Sequence, residues 1–236
     1  MDELEIVPED WDRGLAIVAH PDDMEYGAAS AVARWSAQGK RIAYVLVTRG
    51  EVGIAAMSPE EAAPIRVEEQ RASCAAVGVT EVEFLDHRDG LVEAGIPLRR
   101  DLATAIRRHR PDVVLSINHR DSWGGPSWNH VDHRVVGRDL LDAVRDAANP
   151  WIFPDAGAAW GGVRFVAFSG SPVSSHAVDV TDHLADGVAS LACHASYLAG
   201  LGETAADAEE RLRSAAEAAG PRIGVRLATT FELVTP

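Results

Sequence analysis

The chain has little cysteine and no long apolar run. Cys74 and Cys193 lie far apart and neither belongs to a C-x-x-C pair, so we interpret both as reduced, structural residues. No stretch approaches the roughly 18 to 20 apolar residues that a membrane-spanning helix needs. The first residues, MDELEIVPEDWDRG, lack the basic and apolar regions of a signal peptide. We therefore expect no membrane partner and a cytoplasmic location.

Basic residues are also few. The 22 Lys and Arg residues stand against 36 Asp and Glu residues, which gives a formal net charge of −14. Such a field repels nucleic-acid backbones and anionic membrane surfaces, so a nucleic-acid partner is not expected. The 236 residues, 47% of them hydrophobic, suit one globular domain over the whole chain, 1–236.

From Gly14 onward, short β-rich runs alternate with longer helical segments. The runs LAIVA, RIAYVLVT, VEFL and DVVLSI read as strands, and a helix is expected between each pair. This order predicts an α/β fold: a Rossmann-like, largely parallel sheet flanked by helices. The tail predicts a mixed α/β C-terminal part, with strands at VRFVAFSG, AVDV and VRLATTFELV, a helix capped by Thr181, and another over 205–219.

The segment AHPDDMEYG places polar side chains directly after the first apolar strand, where open α/β sheets bind ligands. Pro21 favours an extended backbone at His20, so His20 and Asp23 are expected to converge on one point, with Asp22 beside them. One imidazole and one carboxylate suit Zn²⁺. The alternative is a plain turn in which an Asp side chain caps the next helix.

A second cluster, SWNHVDHRVVG, follows the fourth predicted strand. His130 and His133 are three residues apart, so on a helix they share a face and can approach one ion or substrate together. Histidines at this spacing also occur by chance on surfaces, but their place at the expected crevice favours a joint site with HPDD. Two histidines and one carboxylate leave a fourth zinc position open, the catalytic pattern, in which bound water has a pKa of about 7.

These motifs resemble the PIG-L/LmbE family of zinc-dependent N-acetylglucosaminyl deacetylases. The resemblance spans roughly Leu15 to His183 and depends on AHPDD followed by H-x-D-H, supported by VTRGEVG after the second strand. It implies a hydrolase that removes an N-acyl group, most simply N-acetyl, from an amino-sugar derivative. It also allows a homo-oligomer, although no heptad in this chain predicts one.

The resemblance implies a role for each residue of the two clusters. His20, Asp23 and His133 would bind Zn²⁺, Asp22 would act as general base, and His130 would stabilise or protonate the tetrahedral intermediate. Fe²⁺ accepts a similar ligand set, so the metal is an inference too.

The resemblance further implies that Arg66 and Asp89 hold sugar hydroxyls. Arg66 could instead pair with Glu69 or Glu51, and Asp89, in HRDG, could simply form a turn. One departure is that many members carry an acidic residue directly after HPDD, where this chain has Met24. The departure affects no proposed ligand.

Three other functions remain open. An amidase acting on a mycothiol-like thiol conjugate would use the same mechanism, and a non-catalytic zinc or sugar-binding protein could use the same scaffold. A nucleotide-binding oxidoreductase is disfavoured, because AHPDDMEYG stands where G-x-G-x-x-G is needed. Four tryptophans near the second cluster, Trp123, Trp128, Trp151 and Trp160, either pack long loops or form an apolar wall for a ligand.

Overall fold

The computed structural model describes residues 3–236. Ten strands are present in this range: β1 Glu5–Ile6, β2 Arg13–Val18, β3 Arg41–Leu46, β4 Glu81–Phe84, β5 Val113–Ile117, β6 Ser122–Gly124, β7 Ser127–Trp128, β8 Phe165–Ser169, β9 His176–Asp179 and β10 Ala228–Val234. The helices are α1 Asp23–Gly27, α2 Ala29–Ala37, α3 Pro59–Ala76, α4 Ile96–His109, α5 Val131–Ala148, α6 Leu184–Ala192, α7 Ala195–Gly200 and α8 Ala205–Ala219, followed by a 3-10 turn at Gly220–Ile223.

Eight strands form one sheet in the order β1-β9-β10-β8-β5-β2-β3-β4. The five strands from β8 to β4 are all parallel, and β10 runs antiparallel between β8 and β9. The predicted fold class, a largely parallel sheet with a mixed C-terminal part, is confirmed. The chain adds β3 and β4 on one side of β2 and β5 on the other, so a topological switch point lies between β2 and β5.

Helices cover both faces of the sheet. Along β2, Leu15 and Ile17 face a core cluster shared with α4 and α5, whereas Ala16 and Val18 face a cluster shared with α2, α3, α6 and α8. Because both faces are buried, the strands read as continuous apolar runs rather than as alternating ones. No helix within residues 3–236 is both long enough and apolar enough to cross a membrane.

Two helix boundaries differ from the sequence prediction. The segment 24–38 was expected to be one helix, but it breaks at Ala28 into α1 and α2. Gly27 lies so close to β8 that a Cβ there would be 2.3 Å from the Oγ of Ser169, so tertiary packing sets the direction of α1. The helix expected after Thr181 begins after His183 instead, and the segment divides into α6 and α7.

Candidate metal centre

One pocket of about 280 Å³ lies at the carboxyl ends of β2 and β5, at the switch point. All the site residues predicted from the sequence line it: His20, Asp22, Asp23, Arg66, Asp89, His130 and His133. The first three follow β2, Asp89 follows β4, the last two begin α5, and Arg66 comes from α3. The fold therefore brings together residues that are up to 113 positions apart in the sequence.

The start of α5 orients both of its histidines. His130 is the N-cap, and its Nδ1 accepts the backbone N–H of Asp132 at 3.2 Å. The Nδ2 of Asn129 donates to two backbone carbonyls, which turns its Oδ1 towards the N–H of His130 and, at 3.0 Å, towards Nδ1 of His133. Since Oδ1 can only accept, Nδ1 of His133 carries the proton and Nε2 presents a lone pair.

His20 is oriented from its other ring nitrogen. Its Nε2 lies 3.1 Å from Oδ2 of Asp132 and 3.1 Å from Oδ1 of Asp89, so this nitrogen is the donor. Burial lowers the pKa of His20, but the carboxylates of Asp132, Asp23 and Asp89 outweigh burial and raise it well above its ordinary value. The ring thus turns Nδ1 towards the centre of the cluster, in a field that favours positive charge.

Three atoms that can bind a metal ion converge at the centre of this cluster. Nδ1 of His20 is 3.1 Å from Nε2 of His133, and Oδ1 of Asp23 is 2.9 Å from the same Nε2 and 3.7 Å from Nδ1. Ligands about 2.0 to 2.2 Å from a tetrahedral zinc ion would be about 3.3 to 3.6 Å apart, so the spacing is close to that of a metal site. Two lone pairs 3.1 Å apart, beside a carboxylate oxygen, need a proton or a cation between them.

Among the described residues, other sets of three side chains could also hold a metal ion. His20, His130 and His133 also lie within reach of one ion, as do His20, Asp89 and Asp132. In the first, Nδ1 of His130 is already used by the helix cap. In the second, the two carboxylates accept backbone N–H groups of Val52, Gly90 and Val92. A third grouping, Glu81, Glu83 and His109, lies outside the pocket.

Asp22 faces a different set of neighbours. Nη2 of Arg66 donates to Oδ2 of Asp22 at 2.9 Å and to the carbonyl of Pro21 at 2.6 Å. The Tyr197 ring lies over the guanidinium, 3.8 Å from ring centroid to Cζ, which is a cation–π contact. Gly50 makes room for this arrangement, because a Cβ there would be 2.9 Å from Nε of Arg66.

These contacts bear on the structural alternatives raised for Arg66 and Asp89. Arg66 pairs with Asp22, while Glu69 accepts the N–H of Ser196 and Glu51 accepts the N–H of Asp89. Asp89 does close a loop, through the N–H of Val52, but it also reaches His20. Asp89 is therefore more than a turn, and Arg66 forms an ion pair with a partner other than the two considered.

Sequence reasoning missed Asp132, Asn129 and Tyr197. Asp132 and Asn129 had a usable signal, since they lie next to the two histidines in SWNHVDH. Tyr197 had none, because it comes from α7, far along the chain. Of the four tryptophans considered, Trp123 lines the pocket, with its ring 5.7 Å from that of His133, whereas Trp151 is 85% exposed and packs no loop.

The fold and the cluster together define an α/β protein with a candidate metal centre at the switch point of its sheet. Residues 15–144 match the family model described as PIG-L: GlcNAc-PI de-N-acetylase. The chain belongs to this family, and the resemblance drawn from its motifs is confirmed.

Curated relatives include the diacetylchitobiose deacetylase of Thermococcus kodakarensis, 32% identical over 143 residues, which are 60% of this chain and 52% of the relative. A 1D-myo-inositol 2-acetamido-2-deoxy-alpha-D-glucopyranoside deacetylase of Acidothermus cellulolyticus is 34% identical over 165 residues, 57% of this chain and 55% of the relative. The chain thus spans about half the length of the curated relatives it matches.

Among solved structures, the N,N'-diacetylchitobiose deacetylase of Pyrococcus horikoshii has a TM-score of 0.84 at 25% identity, covering 96% of this chain and 85% of that one. GalB, the 4-carboxy-2-hydroxymuconate hydratase of Pseudomonas putida KT2440, has a TM-score of 0.78 at 22% identity, covering 95% of this chain and 97% of that one. The second likeness concerns the fold alone. Since this fold carries a hydratase as well, the reaction must be argued from the site.

Proposed function

We propose that this protein is a metal-dependent hydrolase that removes the N-acetyl group from an amino-sugar derivative. The observation that supports this most strongly is the convergence of Nδ1 of His20, Oδ1 of Asp23 and Nε2 of His133 within 3.7 Å, beside the separate carboxylate of Asp22. Relatives named as deacetylases of acetylated amino sugars support the same reaction class.

We assign the metal as zinc, held by His20, Asp23 and His133. Two imidazoles and a carboxylate match zinc's preference for nitrogen and oxygen ligands, and three protein ligands leave an open position. When bound, zinc supplies Lewis acidity that lowers the pKa of water to about 7 and polarises a carbonyl oxygen. Asp89 and Asp132 accept hydrogen bonds from Nε2 of His20 and so hold its ring with Nδ1 towards the proposed metal position.

Asp22 is the residue suited to receive the proton of the attacking water. It lines the pocket beside the proposed ligands, is only 5% exposed, and keeps one oxygen towards Arg66. Burial raises the pKa of Asp22 above its usual range, and the Asp23 carboxylate adds to the rise, while Arg66 opposes it. A raised pKa makes this carboxylate a better proton acceptor near neutral pH.

His130 is the group placed to assist the oxyanion and the leaving amine. Because its Nδ1 accepts a backbone N–H, its proton resides on Nε2, where it can be donated. Burial and the neighbouring His20 and His133 lower the pKa of His130, so at neutral pH it is a neutral imidazole whose Nε2–H can hydrogen-bond the oxyanion and the leaving nitrogen. The proton that the leaving amine needs is the one that Asp22 takes from the attacking water.

The pocket is of small-molecule size, about 280 Å³, and its walls include Tyr26, Tyr197 and Trp123. We propose that Arg66 and Asp89 contact sugar hydroxyls. Arg66 would use the N–H groups that do not bond Asp22, and Asp89 would use the lone pairs that do not bond His20. Within the described part of the chain, Nε and Nη1 of Arg66 have no partner, and each Asp89 oxygen retains a lone pair.

The test is metal content together with amine release from N-acetylglucosamine and N,N'-diacetylchitobiose, before and after chelation. We expect about one metal per chain, release that chelation abolishes, and recovery with added Zn²⁺. His133→Ala should lose the metal and the activity, whereas the matched control His176→Ala, at a histidine paired with Glu5 away from the pocket, should keep both.

Amine release that resists chelation would exclude the proposed metal mechanism. A metal-loaded protein that releases no amine from either sugar, but cleaves a larger amide, would replace the deacetylase with an amidase. A metal-loaded protein inert towards all of them would leave a binding protein.

A further inference from the structure

Asp22 has an unfavourable backbone conformation. Its φ is 92° and its ψ is −20°, in the left-handed region that L residues rarely adopt. Asp tolerates this region better than most residues, but such strain persists only where surrounding contacts impose it. The contacts that hold Asp22 therefore bear directly on where its carboxylate points.

Helix α3 holds Asp22 at two points from successive turns. Arg66 takes the side-chain oxygen Oδ2 and the carbonyl of Pro21, as described above. Four residues later, Oε1 of Gln70 accepts the backbone N–H of Asp22 at 3.1 Å. The two α3 residues lie on the same helix face, so together they fix both the peptide and the carboxylate of Asp22.

Gln70 is in turn fixed by Glu25. Oε1 of Glu25 accepts Nε2 of Gln70 at 2.8 Å and the hydroxyl of Ser73 at 2.6 Å. A carboxylate can only accept, so it holds the amide nitrogen of Gln70 on its side and leaves Oε1 facing Asp22. Gln70 and Ser73 are fully buried and Glu25 is 1% exposed, so water does not compete for these bonds.

We propose that Gln70 is a positioning residue that locks Asp22 in its left-handed conformation and that Glu25 sets the orientation of Gln70. The inference rests on the proposed function, in which Asp22 is the general base. This relay of hydrogen bonds runs from Glu25 through Gln70 to the Asp22 backbone. Neither Glu25 nor Gln70 lines the pocket, so neither side chain touches the substrate. Loss of the relay lets the peptide relax and moves the carboxylate away from the attacking water.

A purely structural role for the same bonds would lower stability alone. The distinguishing measurement is kcat, KM and metal content for Gln70→Met, a substitution of similar length that cannot accept the Asp22 N–H. We expect kcat to fall about 10- to 100-fold, since misplacement of a catalytic group by about 1 Å costs up to this much. KM and metal per chain should stay within about two-fold of wild type if only positioning is lost.

Two matched variants complete the experiment. Glu25→Gln keeps a carbonyl oxygen that can accept from Gln70, and should retain most of the kcat that Glu25→Met loses. Cys74 is not a clean control, because its Sγ accepts from Nε2 of Gln70 at 3.2 Å. Val77→Ala, at the C-terminal end of α3, changes a buried apolar side chain instead and should lower the melting temperature without lowering kcat. Glu25→Met also serves as the test variant if Gln70→Met does not fold.

The outcomes separate the two proposals. An active wild type with unchanged kcat in Gln70→Met, or an equal loss in Val77→Ala, would overturn the positioning role. Wild type that is inert towards every N-acetyl sugar would overturn the proposed function instead. In that case a crystal structure of Gln70→Met decides the inference: we expect Asp22 to leave the left-handed region, and its retention there would contradict the relay.

Discussion

Asp22 and Asp23 are adjacent in the chain, yet their carboxylates belong to two different halves of the site. Asp23 faces His20 and His133, and although burial raises its pKa, these two histidines outweigh burial and hold the pKa of Asp23 well below its ordinary range. Asp22 faces Arg66, and burial raises its pKa.

The difference shows how one turn supplies two carboxylates that are suited to different roles. In the half that contains Asp23, the carboxylate stays ionised and lies beside ring nitrogens of His20 and His133, which suits cation binding. The Asp22 half keeps a more basic carboxylate beside that cation, which suits proton transfer. Environments that push the pKa values of two neighbouring carboxyl groups apart are a usual sign of divided roles. Variants that damage one half without the other test this division.

The largest expected effect comes from Asp22→Asn. The amide retains the shape and tolerates the left-handed backbone, but it cannot take up a proton. We expect kcat to fall about 10²- to 10⁴-fold while metal content stays at the wild-type level. Turnover within ten-fold of wild type would remove Asp22 from the general-base role, and lost metal would place Asp22 in the other half of the site.

A smaller effect is expected from Asp132→Asn in the cation-binding half. The amide no longer supplies the full negative charge behind Nε2 of His20, so metal affinity should weaken about 10- to 100-fold. Competition with a chelator of known affinity measures this change. Asp139→Asn is the matched control, because Asp139 is also buried on α5 and also accepts a backbone N–H, from Gly95. Equal weakening in both variants would contradict the specific role of Asp132.

The smallest effect is expected from Tyr197→Leu in the Asp22 half. The substitution removes the ring over Arg66 and one wall of the pocket, contacts worth about 0.5 to 2 kcal/mol. We expect KM for the sugar to rise about 3- to 10-fold with metal content unchanged. Trp151→Leu, at the 85% exposed tryptophan, should alter neither quantity. Lost metal in the Tyr197 variant would show that the halves are not separable.

The sequence predicted that the two motifs lie at one edge of the sheet, because HPDD follows the apolar run of β2 and SWNHVDH comes after that of β5. Arg66 and Asp89 were predicted only from the family resemblance. The position of a residue after a strand does not, however, reveal which other side chains hold it in place. Gln70 looks like any helical residue in EEQRAS until α3 is packed against Asp22. The break at Ala28 and the place of β10 between β8 and β9 were also missed, because tertiary packing and strand order have no local pattern.

The contribution of α7 has a consequence for how the protein can be altered. This six-residue helix supplies Tyr197 to the pocket and lies beyond residues 15–144, which carry every proposed metal ligand. Under the proposed function, a designer could exchange its side chains to admit a bulkier or smaller sugar while every proposed metal ligand is retained. Under the proposed function, the same separation offers natural variation a short segment in which substrate preference can change while the proposed metal ligands are inherited unchanged.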